Sequence, residues 1–289
     1  MNSSQFKKNE LKKLCVIIRS TPDEVIDIIN NVNLHYREWD EIKVNKATGQ
    51  PKTYKDGTVK KRQISPPHDR LHQLQTEIKE KILAAVSLPE NIHGGVKKKS
   101  SITNSLPHKG KKYHFTTDLQ DFFPRINNSQ VYSALLKSNL SPHFAYWITK
   151  LTTWKYKIPQ GAPTSSHIAN IVFLETDYRL IKLCAENNIT YTRYVDDLTF
   201  SSPVNFKHLL NQILKIILDG GFKISYRKTE YSGKNVLVTG IEIHNNYIDA
   251  PGKIKLKVEN ELASNHSTKP YTTYLNNIRK KNSISTKYK

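Results

Sequence analysis

Apolar residues recur along this chain at two spacings, and the switches between them predict its elements. Leu11, Leu14 and Ile18, then Val25, Ile26 and Ile29, fall three and four residues apart, which predicts helices over 6–31 with Thr21-Pro22 starting the second. Leu71, Leu74, Ile78 and Ile82 make a similar stripe on a helix over 70–86. Between these helices EIKV and KRQIS read as short strands around the polar loop 45–60, an exposed hairpin. Tyr113 to Leu119 alternates like a strand that Phe122, Phe123 and Pro124 end, and Asn128-Ser129 caps a helix to about Ser138. The loop IPQGAPTSS, 158–166, leads into a helix from about Thr164 to Ala185, its stripe being Ile171, Leu174, Tyr178, Ile181 and Ala185. A helix over 206–219 stops at Gly220-Gly221. Phe222 to Tyr226 reads as a strand, and NVLVTGIEIHNNYIDA as a final hairpin turning at Asn245-Asn246.

Tyr191 to Ser202, YTRYVDDLTFSS, reads as strand, tight turn, strand, with Asp196 and Asp197 at the bend. Aspartate is a common turn residue, which is the plain reading of such a pair. Its flanks argue otherwise, because Tyr194, Val195, Leu198 and Phe200 lower the local dielectric, so the two charges repel unless a cation sits between them. With the helix at 129–138 left out, the order from 113 to 226 is β, α, β, β, α, β. This is an α+β, split βαβ arrangement whose first and third strands are neighbours. Asp118, at the end of the first strand and on the face opposite Phe115 and Leu119, then meets Asp196. Such a carboxylate cluster can hold divalent cations. Two ions about 3.5–4 Å apart suit an in-line displacement at phosphorus, and magnesium takes hard oxygen ligands and needs no His or Cys.

Charge names the partner class. Lys and Arg total 45 against 25 Asp and Glu, a formal net charge of +20, which favours a polyanion such as nucleic acid, with nucleotide as co-substrate. A basic membrane-surface protein would need an amphipathic basic helix or a lipidation motif, and neither is found. No run reaches the length of a membrane span and the N-terminus has no long apolar core, so a soluble cytoplasmic protein is expected. Cys15 and Cys184 lack metal-ligand spacing and read as small buried hydrophobes. From Asn91 to Thr117 there is no acidic residue, and Lys97, Lys98 and Lys99 open a basic run that suits a phosphate backbone better than a bare solvated face. Lys55 and Arg62 could grip phosphates from the 45–60 flap, against the commoner reading of a solvated charged loop. Residues 250–289 interleave charge with Lys269, Tyr271, Tyr274, Arg279, Lys280 and Lys281. They read either as a nucleic-acid-binding tail or as a disordered one.

Three segments in this order resemble the palm motifs of reverse transcriptases: Asp118-Leu119-Gln120-Asp121-Phe122-Phe123, Ile158-Pro159-Gln160-Gly161-Ala162-Pro163 and Tyr194-Val195-Asp196-Asp197. Two more resemble the retron branch. They are Val238-Thr239-Gly240, and Asn104-Ser105-Leu106-Pro107-His108, which is similar to the family's Asn-Ala-x-x-His with Ser in place of Ala. The match runs over about residues 35–250.

The resemblance implies a right-hand polymerase: N-terminal helices and fingers over 1–112, a palm over 113–249 interrupted by a fingers segment at about 126–163, and a short basic thumb over 250–289. That thumb is short for the family. It implies a reverse transcriptase that copies part of a cognate structured noncoding RNA into a branched RNA–DNA hybrid (msDNA), primed from a guanosine 2′-OH and serving in phage defence with an effector protein. Asp118, Asp196 and Asp197 would be the catalytic carboxylates, Leu119 joining them as a ligand of two Mg2+ ions. Lys55, Arg62, Phe123, Gln160 and Lys228 would contact the dNTP, with Phe123 as the gate against a ribose 2′-OH and Lys228 as the proton donor to pyrophosphate or a plain phosphate-binding lysine. Asn104, His108, Val238, Thr239, Gly240 and the three lysines would recognise the RNA. The alternatives are another bacterial or intron-type reverse transcriptase, which lacks support from any endonuclease appendage, and a non-catalytic RNA-binding scaffold, which has no need of clustered aspartates.

Overall fold

Thr21 and Pro22 start the second helix as their residue types predict, the threonine hydroxyl accepting the Glu24 N–H while proline fills the first turn. The computed structural model describes residues 3–44, 49–54, 56–233, 236–264 and 268–284. The chain divides into two compact units, residues 1–88 with 121–174, and residues 89–120 with 175–289. Residues 89–112, grouped by sequence with the fingers, thus fall in the second unit.

The elements are α1 (Ser3–Ile18), α2 (Pro22–Asn30), the ribbon β1 (Trp39–Ile42) and β2 (Lys61–Ile64), and α3 (Asp69–Lys81). Then come α4 (Ser101–Ser105) and β3 (Tyr113–Asp118), followed by α5 (Phe122–Arg125), α6 (Asn128–Lys137), α7 (Pro142–Thr152) and α8 (Ser165–Glu186). The hairpin β4 (Thr190–Tyr194) and β5 (Asp197–Ser202) leads to α9 (Leu210–Asp219) and β6 (Glu230–Ser232). Last are β7 (Leu237–Val238), β8 (Ile241–Ile243), β9 (Ile248–Asp249), α10 (Gly252–Ala263) and α11 (Pro270–Ile284).

In the first unit the stripes of α1, α3 and α7 face one another and bury Leu11, Leu14, Leu71, Leu74, Ile148 and Leu151. Gln75, fully buried among them, donates to the Tyr36 hydroxyl (2.9 Å) and the Leu151 carbonyl (2.8 Å) and accepts from Thr164 (3.2 Å). Every polar atom of that amide therefore has a partner, which is what burial demands. Gly161 sits at φ +99° with Ile64 Cγ2 only 3.3 Å from where a Cβ would stand, and the Gln160 carbonyl accepts the Ser65 N–H at 2.7 Å. The β ribbon and the 158–164 loop are joined there.

In the second unit one antiparallel sheet runs β4-β5-β3-β6, so the expected first and third strands are neighbours. Phe115, Tyr191, Leu198 and Phe200 cover its apolar face, Tyr191 stacking on Phe200 with ring centroids 4.7 Å apart. A separate sheet, β7-β8-β9, packs with α10 and α11 around Val238, Ile241, Ile243, Ile248, Val258, Leu275 and Ile278, and Ile102 of α4 inserts into the same core. Asn282 closes this body like a strand partner, accepting the Ile248 N–H and donating to its carbonyl, each at 2.9 Å.

Several sequence expectations are corrected. Phe122, Phe123 and Pro124 do not simply end a strand but form α5, and the helix predicted from Asn128-Ser129 is capped by Asn127. The bend holds Val195 and Asp196, whereas Asp197 is the first residue of β5 and stands opposite Asp118. The stripe on α8 is rotated: Tyr178 is 54% exposed and Asp177 wholly buried, because Asp177 takes a buried arginine as partner. The fourth strand of the sheet is Glu230–Ser232, and Phe222 to Tyr226 supplies only a single bridge, Leu119 to Ile224. The last segment forms two hairpins rather than one, the first turning at Thr239-Gly240 with both residues at positive φ. Residues 252–263 and 270–284 are helices, not a structureless tail, because their apolar residues have the β7–β9 sheet to cover. Ile278→Ala opens a cavity in that small core and is expected to cost about 2–5 kcal/mol, seen as faster amide exchange throughout α10 and α11.

Candidate metal and catalytic centre

Register places the candidate carboxylates. In β3, Asp118, Thr116 and His114 share one face, and their partners in β5 are Asp197, Thr199 and Ser201. Asp196 follows from the two-residue turn before β5, its carbonyl accepting the Leu119 N–H at 2.9 Å. One carboxylate oxygen from each of Asp118, Asp196 and Asp197 lies within 4.8 Å of the others. Asp118 is buried, Asp196 and Asp197 half-buried.

Like charges this close cannot all remain ionised without a counter-charge. Burial first, then the Asp196 and Asp118 charges, push the Asp197 carboxyl up to about 7. The counter-charge present is Lys228, whose ammonium donates to Asp118 Oδ2 at 2.6 Å. Burial pulls that ammonium's pKa down, but the hydrogen bond to Asp118 and the charges of all three carboxylates outweigh it and leave the value raised. Local backbone explains how Lys228 arrives. Ser225 N–H pairs with the Asp118 carbonyl at 2.8 Å, and the 3-10 turn Tyr226–Lys228 is then looped out of the β3–β6 ladder, which resumes at Glu230. Leu119, buried and apolar, offers the cluster main-chain atoms only.

The turn itself breaks local rules. Val195 sits at φ +58°, a region that costs a β-branched residue on the order of 1–3 kcal/mol. Gly94 lies against it so closely that a Cβ there would stand 2.4 Å from the Val195 nitrogen. Arg193, wholly buried, forks onto Asp177 (Nε–Oδ1 3.0 Å, Nη2–Oδ2 2.7 Å), and its Nη1 donates to the Val195 carbonyl at 2.9 Å. Tyr191 donates its hydroxyl to the same Asp177 at 2.7 Å. Gly94, Asp177 and Arg193 were missed in the sequence. The available signal was an arginine sharing the inward face of a strand with Tyr191.

The remaining candidates divide between the units. Lys55 lies outside the described residues. In the first unit Arg62 is exposed on β2, opposite Glu41, with its strand end joined to Gln160 as described; Phe123 and Gln160 are half-buried. In the second unit Asn104, His108 and Val238 are wholly buried, so their side chains present no surface to an RNA. They are joints instead. His108 holds the Ser201 hydroxyl (2.6 Å) and the Thr192 hydroxyl (2.8 Å) across β4 and β5, and burial, with nearby cationic groups, pushes its pKa down to about 3, so it is neutral. Asn104 donates to Thr239 at 3.3 Å, and Ser105 to the Val238 carbonyl at 2.9 Å. Thr239 is half-buried and Gly240 exposed. Lys97 and Lys98 are exposed, but Lys99 is engaged by Glu90, one residue outside the acid-free window, through its carbonyl (2.6 Å) and carboxylate (3.1 Å). Both cysteines are buried, and burial raises Cys15 to about 11 and Cys184 to about 12, so neither is a reactive thiol. Among the described residues no helix is long and apolar enough to cross a membrane.

Residues 50–243 match the family profile described as reverse transcriptase (RNA-dependent DNA polymerase). The chain is 31% identical over 176 residues to the retron Se72 reverse transcriptase of Salmonella heidelberg, covering 61% of this chain and 43% of that one. It is 30% identical over 240 residues to the retron Ec83 reverse transcriptase of Escherichia coli, covering 76% of this chain and 77% of that one. The chain thus spans less than half the length of the first of these relatives. Among solved structures, telomerase from Candida albicans in complex with a fragment of telomeric RNA superposes with a TM-score of 0.50 at 12% identity, over 80% of this chain and 50% of that one. That likeness is one of fold, the mixed helix-and-sheet architecture of a right-hand polymerase.

Raised above its ordinary value, the Asp197 pKa makes ionisation oppose folding. An unfolded chain releases this proton near pH 4 and the folded one near 7, so the stability linked to it is present below 4 and lost by 7. In metal-free buffer the melting temperature of Asp197→Asn is therefore expected to rise relative to the parent between pH 4 and 7 and to hold its lead above that. A constant difference across the range counts against the cluster's electrostatics.

Proposed function

Because the chain belongs to the reverse transcriptase family and, within it, to the retron reverse transcriptases, we propose that it is an RNA-directed DNA polymerase that copies part of a cognate structured noncoding RNA into a branched RNA–DNA product. The observation that carries this reading is the convergence of Asp118, Asp196 and Asp197 at the end of one sheet, with oxygens within 4.8 Å. Their chemistry fits magnesium: hard oxygen donors, few in number, with room in the coordination shell for water and phosphate. Bound there, two Mg2+ ions would activate the attacking hydroxyl and neutralise charge on the departing pyrophosphate.

The chain's own groups are assigned as follows. Asp118, Asp196 and Asp197 hold the ions, the main chain of Leu119 beside them. Lys228, an ammonium of raised pKa 2.6 Å from Asp118, is placed to lend a proton or a positive charge to leaving phosphate oxygens. Arg62 and Lys55 contact the triphosphate, Phe123 crowds a ribose 2′-OH, and Gln160 lines the nucleotide site. Lys97 and Lys98 meet the RNA backbone together with the exposed Gly240 turn, while Asn104, His108 and Val238 serve recognition by holding that turn in place. Priming from a guanosine 2′-OH, a cytoplasmic setting and a part in phage defence with an effector protein complete the proposal.

Asp118→Asn and Asp196→Asn are each expected to reduce primer extension on an RNA template to background while RNA affinity, measured by filter binding, stays near that of the parent. Undiminished extension by either variant would sink the assignment. Nucleic acid purified with the protein should contain a species sensitive in part to RNase and in part to DNase, joined at a 2′ branch. RNA alone would remove the retron product from the proposal.

A further inference from the structure

The turn that presents Asp196 is held at both of its carbonyls. Asp196 O accepts the Leu119 N–H, and Val195 O accepts Nη1 of Arg193, each at 2.9 Å. Arg193 is itself fixed on several sides. Its side chain forks onto Asp177, which also receives the Tyr191 hydroxyl, and neither member of the ion pair has any exposed surface. Its backbone N–H donates to the Asn91 carbonyl at 2.9 Å and its carbonyl accepts the His93 N–H at 2.8 Å, so residues 91–93 run along β4 as a strap. Gly94 ends the strap against the Val195 nitrogen, where no side chain fits.

We propose that the buried Arg193–Asp177 pair and the Asn91–Gly94 strap form a positioning device that locks Val195 in its left-handed conformation and thereby sets the Asp196 carboxylate beside those of Asp118 and Asp197. This rests on reading those carboxylates as the metal-holding set. Stability alone does not account for the pair. A buried ion pair is often matched or bettered by apolar residues of similar volume, so charge there asks for another reason. Geometry supplies it: a guanidinium can fork onto one carboxylate while a third N–H points at Val195 O, whereas a lysine ammonium that reaches Asp177 cannot also reach that carbonyl in the same plane. Metal coordination tolerates only a few tenths of an ångström, so a turn free to relax its positive φ would lose the site without unfolding anything. Arg193 and Asp177 are thus positioning residues, acting through the turn and touching no substrate.

The test compares the parent with Arg193→Lys, with the double variant Arg193→Met/Asp177→Leu, and with Asp196→Asn as a control. Thermal unfolding, Mn2+ binding by calorimetry in the absence of nucleic acid, and kcat and KM for dNTP are measured on each. In the double variant both charges leave together but the Tyr191 hydroxyl and the Val195 carbonyl lose their partners, so its melting temperature should fall by only about a few degrees with the fold kept. Its Mn2+ affinity and its kcat should each fall about 10–100-fold, the loss usual when a group that orients metal ligands is removed, while KM for dNTP moves little. Arg193→Lys keeps the charge pair and loses the Val195 contact, and it should show the same pattern. If the double variant does not fold, Arg193→Lys decides alone. Parent-like Mn2+ affinity and kcat in a folded Arg193→Lys would overturn the positioning role. A parent that extends no primer, or an Asp196→Asn that does, would instead overturn the reading of the site on which the proposal rests.

Discussion

Repulsion among three carboxylates at one end of a β-sheet is the constraint around which the second unit is built. A fold left to lower its energy would not set Asp118 opposite Asp197 and then add Asp196 from the adjoining turn. The register leaves no choice, because β3 is pinned by β5 on one side and β6 on the other. The cost is visible in Asp197, whose proton is held to about pH 7, and it is partly offset by Lys228. That lysine arrives only because three residues are looped out of the β3–β6 ladder. An irregularity that would look like a defect in an ordinary strand is here the means of bringing a cation to the cluster.

The two faces of the same sheet follow opposite logic. Behind the carboxylates lie Phe115, Leu198 and Phe200, ordinary packing that any strand pattern would reveal. In front the register exposes Thr192, Thr199, Ser201 and His114, polar groups that must be satisfied once covered. His108 does this for Thr192 and Ser201, holding both hydroxyls, while Asn104 and Ser105 bond the Thr239 hydroxyl and the Val238 carbonyl of the neighbouring turn. The same short helix sends Ile102 into the core shared by α10 and α11. Asn104 and His108, read from their motif as RNA contacts, are therefore internal joints between one sheet and the next.

Legibility in the sequence tracked how local the deciding interaction was. The split βαβ order, the hairpin and Asp118 as its distant partner could all be read, because alternation and turn chemistry are short-range signals. Helix α7 went unremarked because Thr149 and Thr152 are buried within it, their hydroxyls turned back onto the Ala145 and Ile148 carbonyls at 2.8 Å, so polarity in the sequence did not mean exposure. The α8 stripe was misplaced for a related reason: an aspartate has no place on an apolar stripe, and only its partner in β4 accounts for the burial of Asp177. Helices α10 and α11 passed for a tail because the surface they cover lies in strands of two or three residues, too short to announce a core.

At the site itself, what escaped sequence reading lies against the turn that carries Asp196. A β-branched residue in the left-handed region, an arginine without exposed surface and a glycine chosen for closeness each violate a separate local preference. Natural chains tend to break such rules where a site needs it and to satisfy them elsewhere. Here the violations are linked: the strained valine needs the guanidinium, the guanidinium needs Asp177 and Tyr191, and the strap that fixes the arginine backbone needs a residue without a Cβ at its end. No one of them has a local rationale, and together they have a single one, which is to hold a carboxylate where its neighbours repel it.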